Sequence, residues 1–230
     1  MKLYRTSAAS FAKIIGGKME AAFWQERWQQ NKIAFHEAQP NALLSAHWSR
    51  LSLKQGSRVF VPLCGKTTDL AWLAARGHHV VGIELNQAAV DEVFRTMGLD
   101  PAVSRQGDLI RYQSRHVVVF VGDFFDFSPD LLGSVDAVYD RAALVALPPE
   151  MREAYSRHLT TLAGRAPQFL ISYDYDQSQT EGPPFSVTSE EIGELYGDQY
   201  EQELVASVEI SGRLAERCSG TENAWLLTST

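Results

Sequence analysis

The sequence predicts an α/β protein whose sheet has seven mostly parallel strands, helices on both faces and an antiparallel hairpin at one edge. From Glu20 onward, apolar residues switch repeatedly between strand and helical spacing. Strands that alternate with helices favour a parallel sheet, because parallel neighbours need a crossover connection. The last two strand-like segments have no helix of crossover length between them, so we expect them to pair antiparallel at the edge.

The helices are recognised by their apolar spacing and by the residues at their ends. Pro40 marks the start of one helix, Gly77 the end of another, and Asn86 is a favourable N-cap for the next. Thr188 or Ser189 caps a later helix in the same way. Helices are predicted at 21–31, 40–51, 69–76, 87–97, 148–162 and 189–196.

The strands are short segments rich in β-branched and aromatic residues. No internal repeat, low-complexity tract or linker separates them, so we expect one domain. Strands are predicted at 58–63, 79–84, 117–121, 135–139, 169–173, 201–210 and 224–228.

Residues 1–18 differ from the rest of the chain. They contain several basic residues and no acid, and Lys13 interrupts the only apolar stretch that is similar to a secretory signal. We expect this extension to lie outside the fold, with Met19 as an alternative start. The domain is therefore predicted to span 19–230.

Composition and charge exclude several classes of function. The 230 residues are 45% hydrophobic and carry a net charge of −7, which is unfavourable for binding nucleic acid or an anionic membrane surface. Cys64 and Cys218 are too few for a disulfide framework or a zinc ribbon. No apolar run approaches the roughly 18 residues that a membrane span needs. We therefore expect a cytoplasmic protein.

Residues that can bind a ligand follow the predicted strands, where ligands of open α/β sheets are found. Glu84 ends the second strand 19 residues after Gly65, and an acid at this distance from a glycine turn can accept hydrogen bonds from both ribose hydroxyls of a nucleoside. Asp123 and Phe124 follow the third strand, where an acid and an aromatic ring can contact an adenine. Arg141 follows the fourth strand. An acid at such a position is also typical of a helix cap or a solvated turn, so the combination is more specific than any single residue.

The glycine pattern disfavours two phosphate-binding motifs. A Walker A loop that ends at 65–67 needs glycine at the position of Phe60, and a dinucleotide fingerprint needs three glycines where Gly65 stands alone. A nucleoside without phosphates fits better, and S-adenosylmethionine is the common one. An NAD-dependent oxidoreductase and a non-catalytic nucleoside-binding protein are the alternative interpretations.

Six motifs occur in order along the chain: FWQERW at 23–28, IAFH at 33–36, VPLCGK at 61–66, GHHVVGIE at 77–84, DRAALVA at 140–146 and GPPF at 182–185. Together they resemble the thiopurine S-methyltransferase family, most closely its bacterial members, from about Met19 to the end of the chain. The resemblance implies a class I S-adenosylmethionine-dependent methyltransferase fold (Rossmann-like) with an N-terminal helical lid. It also implies a monomer that methylates thiopurines and other aromatic or heterocyclic thiols. For bacterial members of the family, the implied acceptors also include selenium and tellurium compounds.

The resemblance also implies which residues form the site. Without it, Trp24 and Trp28, one helical turn apart, are more typical of a core stripe than of a lid over a cofactor. An arginine near the C-terminal end, Arg213 or Arg217, is a further candidate for the acceptor site, and the alignment leaves the choice open. The positions expected to bind the cofactor are Trp24, Trp28, Leu63, Gly65, Glu84, Asp123, Phe124 and Arg141, and those expected to border the acceptor are Phe35, Pro183 and Pro184.

Methyl transfer from a sulfonium to a sulfur depends on alignment more than on acid–base catalysis. Alignment can supply about 7–11 kcal/mol of the barrier, and an aromatic thiol reacts largely as its anion. Arg141 is therefore the predicted catalytic residue, because a cation near the acceptor favours the thiolate. A catalytic thiol at Cys64 and a Mg²⁺ site at Asp174 and Asp176 are less favoured alternatives, and we expect no metal cofactor.

Overall fold

The computed structural model describes residues 39–230, which form one sheet of nine strands with helices on both faces. The strands are β1 (Arg58–Val61), β2 (His79–Glu84), β3 (Ala102–Gln106), β4 (Leu109–Ser114), β5 (Val117–Val121), β6 (Ala137–Arg141), β7 (Gln168–Tyr175), β8 (Tyr200–Glu209) and β9 (Gly220–Ser229).

The sheet is parallel in its centre and antiparallel at both edges. Its strand order is β3-β4-β5-β2-β1-β6-β7-β9-β8. The five central strands, β5, β2, β1, β6 and β7, are parallel to one another. The remaining neighbouring pairs are antiparallel. The chain runs from β1 to β2 and β5 on one side and from β6 to β7 on the other, so the order reverses between β1 and β6. Ligands of such sheets bind at the carboxyl ends of the strands near this reversal.

Two helices begin at caps that the sequence predicts. Asn86 Oδ1 accepts a hydrogen bond from Ala89 N–H (3.1 Å), and Thr188 Oγ accepts one from Glu191 N–H (3.3 Å). Both caps confirm the sequence prediction. The described helices are α1 (Ala42–His47), α2 (Asp69–Ala75), α3 (Gln87–Thr96), α4 (Pro129–Leu132), α5 (Pro149–Ala163), α6 (Ser189–Tyr196) and α7 (Gly212–Ala215).

Each face of the sheet buries its own hydrophobic core. Helices α4, α5 and α6 cover one face, where Phe60 and Tyr155 are buried. Helices α1, α2 and α3 cover the other face, where Val59, Val61 and Phe94 are buried. Because successive side chains of a strand point to opposite faces, consecutive residues at a strand end act in different layers.

The α/β class is confirmed, but the predicted count of seven strands is wrong, because the sheet has nine. Hairpin β3–β4 supplies the two additional strands. All residues of β3 are exposed, with Val103 at 56%, so this strand lacks the apolar alternation by which a half-buried strand is recognised. The antiparallel edge pair predicted at the end of the chain is confirmed as β8 and β9.

Three element boundaries differ from the prediction near the site. Strand β1 ends at Val61, two residues earlier than predicted, so Leu63 lies in the loop that follows. The helix predicted from Pro40 is capped by the side chain of Asn41, and after His47 it continues only as a 3₁₀ turn. Strand β6 starts two residues later than predicted and includes Asp140 and Arg141. These two residues therefore have the fixed, alternating directions of strand residues.

Three predicted site residues, Trp24, Trp28 and Phe35, lie outside the described residues. The predicted N-terminal lid helix and the boundary between residues 18 and 19 also lie there, and they stay predictions. Within residues 39–230, no helix is long and apolar enough to cross a membrane.

Candidate active site

The loop after β1 turns sharply at the carboxyl end of β2. Leu63 and Gly65 both have positive φ values, 45° and 54°, a region that is uncommon for leucine. Cys64 N–H donates to the carbonyl of Ile83 (3.0 Å), which holds the loop beside β2. The turn therefore brings Gly65 next to Glu84.

Glu84 is buried, with 6% of its surface exposed, and connects two loops. Its Oε2 accepts a hydrogen bond from Gly65 N–H (2.8 Å), and its Oε1 accepts one from Asn86 N–H (2.8 Å). Burial raises the pKa of Glu84, while the backbone N–H groups act in the opposite direction. The structure thus brings into contact the two residues whose spacing indicates a nucleoside site.

Asp123 and Phe124 follow β5 but have different surroundings. Asp123 is half-buried, and its Oδ1 accepts a hydrogen bond from Phe125 N–H (2.9 Å). Phe124 is only 1% exposed, and its ring packs against Tyr155 and His158, each with a centroid distance of 5.0 Å. The Phe124 side chain therefore belongs to the core, and its predicted contact with adenine stays a prediction. The next residue, Phe125, is half-buried, so its ring is more accessible to an adenine than that of Phe124.

Arg141 ends β6, beside the point where the strand order reverses. It is 7% exposed and shares a face of the sheet with Tyr139. Burial raises the pKa of the Tyr139 phenol, the Asp69 carboxylate raises it further, and the positive charge of Arg141 lowers it. A buried guanidinium therefore lies at the carboxyl edge, and the catalytic role of Arg141 stays a prediction.

Asp140 lies on the opposite face of β6 and is fully buried. Its Oδ2 accepts a hydrogen bond from the Tyr155 hydroxyl (2.7 Å), and its Oδ1 accepts one from Leu144 N–H (3.2 Å). Burial raises the pKa of Asp140 to about 6, although these hydrogen bonds act in the opposite direction. Asp140 therefore titrates in mildly acidic solution.

We expect Asp140 to make the stability of the protein depend on pH. The pKa is 3.8 for an ordinary aspartate and about 6 in the folded protein, so the folded state binds the proton more tightly. The resulting stabilisation is complete at low pH and is lost as the pH rises through 6, a change of about 3 kcal/mol. Urea unfolding of the wild type and of Asp140→Asn, at several pH values from about 4 to about 7, measures it. A difference between the two proteins that does not vary with pH would contradict this assignment.

A buried hydrogen-bond network lies at the same edge, on the face of Arg141. Asn41 donates its backbone N–H to Asp69 (2.9 Å) and its side-chain amide to Glu222 (3.0 Å). The Tyr139 hydroxyl donates to the other oxygen of Asp69 (2.9 Å). These residues are far apart in the chain, so no spacing in the sequence indicates that they belong together.

Residues 182–187, called here the acceptor segment, follow β7. Pro183 and Pro184 are buried, and the carbonyl of Pro184 accepts a hydrogen bond from the Tyr175 hydroxyl (2.5 Å). The backbone N–H of Tyr175 donates to Ser186 Oγ (3.0 Å). Of the two predicted proline positions, Pro184 is therefore held against the end of β7, and Pro183 directly precedes it.

The two C-terminal arginines are exposed. Leu214 and Cys218 pack against Tyr175 at the end of β7. Burial raises the pKa of Tyr175, and the positive charge of Arg217 is one of the influences that lower it. Arg217 is thus the one of the two arginines whose charge affects the pKa of Tyr175, and Tyr175 contacts the acceptor segment.

Cys64 is unsuited to a catalytic role. It is 5% exposed, and its pKa is raised well above the ordinary value by burial and by the negative charge of Glu84. Because the thiolate is the reactive form, we expect Cys64 to resist modification in the folded protein.

Ellman's reagent should label neither buried cysteine at a rate close to that of the urea-unfolded chain. A fast phase in native Cys218→Ser would contradict this expectation.

The alternative of a magnesium site at Asp174 and Asp176 gains no support. The Asp176 carboxylate is exposed and accepts a hydrogen bond from Ser178 N–H (2.9 Å). In the part of the chain that the structure describes, no group of three or more His, Cys, Asp or Glu side chains is placed to hold a metal ion.

Comparison with solved structures shows which proteins share this fold. A SAM-dependent methyltransferase from Anabaena variabilis matches with a TM-score of 0.62 at 13% identity, covering 95% of this chain and 99% of that one. Magnesium protoporphyrin IX methyltransferase from Synechocystis, solved with bound SAM, matches with a TM-score of 0.60 at 14% identity, covering 94% and 100%. At these identities the likeness establishes the fold, which is that of class I S-adenosylmethionine-dependent methyltransferases.

Comparison of sequences shows the family. The thiopurine S-methyltransferase of Xanthobacter autotrophicus is 48% identical over 210 residues, which are 91% of this chain and 99% of the relative. The thiopurine S-methyltransferase of Gluconobacter oxydans is 45% identical over 208 residues, which are 90% and 94%. The family model described as thiopurine S-methyltransferase (TPMT) matches residues 19–225. The chain therefore belongs to the thiopurine S-methyltransferase family.

Proposed function

We propose that this chain is an S-adenosylmethionine-dependent S-methyltransferase that acts on thiopurines and other aromatic thiols. The names of its relatives support the reaction and the acceptor class. The observation that carries the proposal is the contact between Gly65 and Glu84 at the carboxyl end of β2, where a sheet of this topology binds a nucleoside.

The residues at this edge fit a nucleoside without phosphates. Each oxygen of Glu84 accepts one backbone N–H, and an ionised carboxylate has about four acceptor positions. Because the backbone N–H of Leu85 also acts on this carboxylate, part of that capacity remains for the ribose hydroxyls. Gly65 N–H, which a phosphate-binding loop would direct at an anion, is already donated to Glu84, and the negative charge of Glu84 repels a phosphate. This donor set supports S-adenosylmethionine over a nucleotide.

The protein residues have to align the acceptor sulfur and favour its anionic form. When bound, S-adenosylmethionine supplies a methyl group on a positively charged sulfur, which a thiolate displaces in line. Alignment of the reacting atoms lowers the barrier by about 7–11 kcal/mol. Arg141, buried at the end of β6, supplies a positive charge that favours the thiolate over the thiol. The acceptor segment forms the border of the thiol site.

Two measurements on the full chain test the proposal. Isothermal titration calorimetry with S-adenosylhomocysteine should show binding at one site, and an assay with 6-mercaptopurine should show methyl transfer to sulfur. Binding without transfer to any thiol would instead identify a non-catalytic nucleoside-binding protein. Binding of NADH, detected by its fluorescence, without binding of S-adenosylhomocysteine would identify an oxidoreductase.

The proposal includes a small-molecule thiol as the acceptor and a cytoplasmic monomer without nucleic-acid or membrane partners. Family membership and the net charge of −7 support it. Light scattering should give the mass of a single chain, and a gel-shift assay with DNA and RNA at low salt should show no complex. A stable dimer or a salt-sensitive complex would contradict the respective statement.

A further inference from the structure

Arg152 in the first turn of α5 is a buried cation that no motif of the sequence indicates. It is 1% exposed. Its Nε donates to the carbonyl of Leu147 (2.9 Å), and its Nη1 donates to the carbonyl of Ser186 (3.1 Å). The same Nη1 contacts both carboxylate oxygens of Glu191 in α6, at 2.8 and 2.7 Å. One guanidinium therefore connects three separate parts of the chain.

Two of these parts border the proposed thiol site. Leu147 ends the short turn that follows Arg141 in the chain, and Ser186 belongs to the acceptor segment. The acceptor segment also contacts that turn directly, since Phe185 N–H donates to the carbonyl of Val145 (2.7 Å). The acceptor segment is thus attached on one side to the turn after Arg141, and on the other side to β7.

The side chain of Arg152 also lies beside the aromatic ring of the acceptor segment. The guanidinium carbon is 5.7 Å from the centroid of the Phe185 ring, within the range of a cation–π contact. Arg152 therefore fixes both the backbone of the segment, at Ser186, and the neighbourhood of its aromatic side chain.

Stability alone is a poor explanation for this arrangement. The ion pair of Arg152 with Glu191 has side-chain exposures of 2% and 27%, and a buried ion pair is often no more stabilising than apolar residues of similar volume. The guanidinium differs from an apolar side chain in having donors with a fixed planar geometry. That geometry fixes the distance between the turn at Leu147 and the segment at Ser186.

We infer that Arg152, held by Glu191, is a positioning residue for the acceptor. It sets the position of the acceptor segment relative to Arg141 and so determines how well the thiol is held. Its contacts with Leu147 and Ser186 involve neither Gly65 nor Glu84, so we expect its loss to affect the thiol kinetics far more than the affinity for the nucleoside. This inference rests on the proposed function.

The experiment compares Arg152→Lys, Arg152→Met and Glu191→Gln with the wild type. Lysine keeps the charge but loses the planar donor set, methionine removes both, and glutamine weakens the hold on Arg152. The matched control is Arg157→Gln, which breaks an exposed ion pair on the same helix, with Glu153 at 2.7 Å. Circular dichroism gives the temperature at which each variant begins to unfold. All kinetic measurements are made below the lowest of these temperatures.

We expect Arg152→Met to raise KM for 6-mercaptopurine, or to lower kcat/KM, by about 10- to 100-fold. The reason is that a misplacement of the reacting groups by about 1 Å can cost about 10²-fold in rate. Arg152→Lys and Glu191→Gln should show a smaller change in the same direction. The Kd for S-adenosylhomocysteine should stay within about twofold of the wild type in every folded variant, well below the tenfold that 1.4 kcal/mol produces. Arg157→Gln should match the wild type in both measurements.

Two outcomes overturn the inference while leaving the proposed function intact. One is an active wild type whose acceptor kinetics are unchanged in all folded variants. The other is a parallel loss of thiol and S-adenosylhomocysteine affinity, which indicates a general structural role. If Arg152→Met does not fold, Arg152→Lys and Glu191→Gln decide by the same criteria. A wild type that binds S-adenosylhomocysteine but methylates no thiol overturns the proposed function itself.

Discussion

We expect Glu84→Ala to weaken the binding of S-adenosylhomocysteine by about 1.5–3 kcal/mol, the usual contribution of hydrogen bonds to a charged group. The physical reason has two parts. In the proposed site the carboxylate supplies the acceptors for the ribose hydroxyls. It also holds Gly65 N–H and Asn86 N–H at the end of β2. Calorimetry should therefore show a Kd about 10- to 150-fold higher than that of the wild type.

Two further variants make this result specific. Glu84→Gln keeps the size of the side chain but has a single acceptor oxygen for two backbone donors, so its affinity should also fall. Glu92→Gln, on α3, removes a partly exposed carboxylate that lies 3.5 Å from Lys66, the residue after Gly65. This variant should bind S-adenosylhomocysteine as the wild type does. Unchanged affinity in Glu84→Ala would remove Glu84 from the cofactor site.

Arg141→Met should lower kcat/KM for aromatic thiols by about 10- to 150-fold near neutral pH, the kinetic equivalent of losing about 1.5–3 kcal/mol of charge-assisted interaction. Arg141 is buried at the carboxyl edge, and its positive charge already lowers the pKa of the Tyr139 phenol against the effect of burial. A cation that favours a phenolate on this face should favour a bound thiolate in the same way.

The pH dependence separates this role from simple binding. The deficit of Arg141→Met should be largest below the pKa of the free thiol and should shrink above it, where the acceptor is ionised in solution. Arg141→Lys should recover part of the rate because it keeps the charge. The exposed Arg95→Gln serves as the control. A deficit that is equal at all pH values would contradict the thiolate role.

The sequence predicts those parts of the molecule that depend on local signals. Asn86 and Thr188 are caps because their side chains bond backbone donors three residues on, a contact that the sequence alone specifies. Gly65 and Glu84 meet because a glycine turn after one strand and an acid ending the next necessarily lie at the same edge of a parallel sheet.

The remaining parts depend on long-range packing. Arg152 and Glu191 meet because α5 and α6 cover the same face of the sheet, and nothing near either residue in the chain reveals its partner. Phe124 has the residue type of a base-stacking side chain, but its direction is set by the space beside Tyr155. An amino-acid type indicates which contacts are available, whereas the tertiary structure determines which of them form.

The opposite directions of Asp140 and Arg141 along β6 have a consequence for acid tolerance. Protonation of Asp140 favours the folded state, and it takes place in the layer that does not contain the guanidinium. Mild acidification should therefore slow methyl transfer, because it protonates the acceptor thiolate, while the protein stays folded. Activity lost at such acidity should return fully when the solution is neutralised.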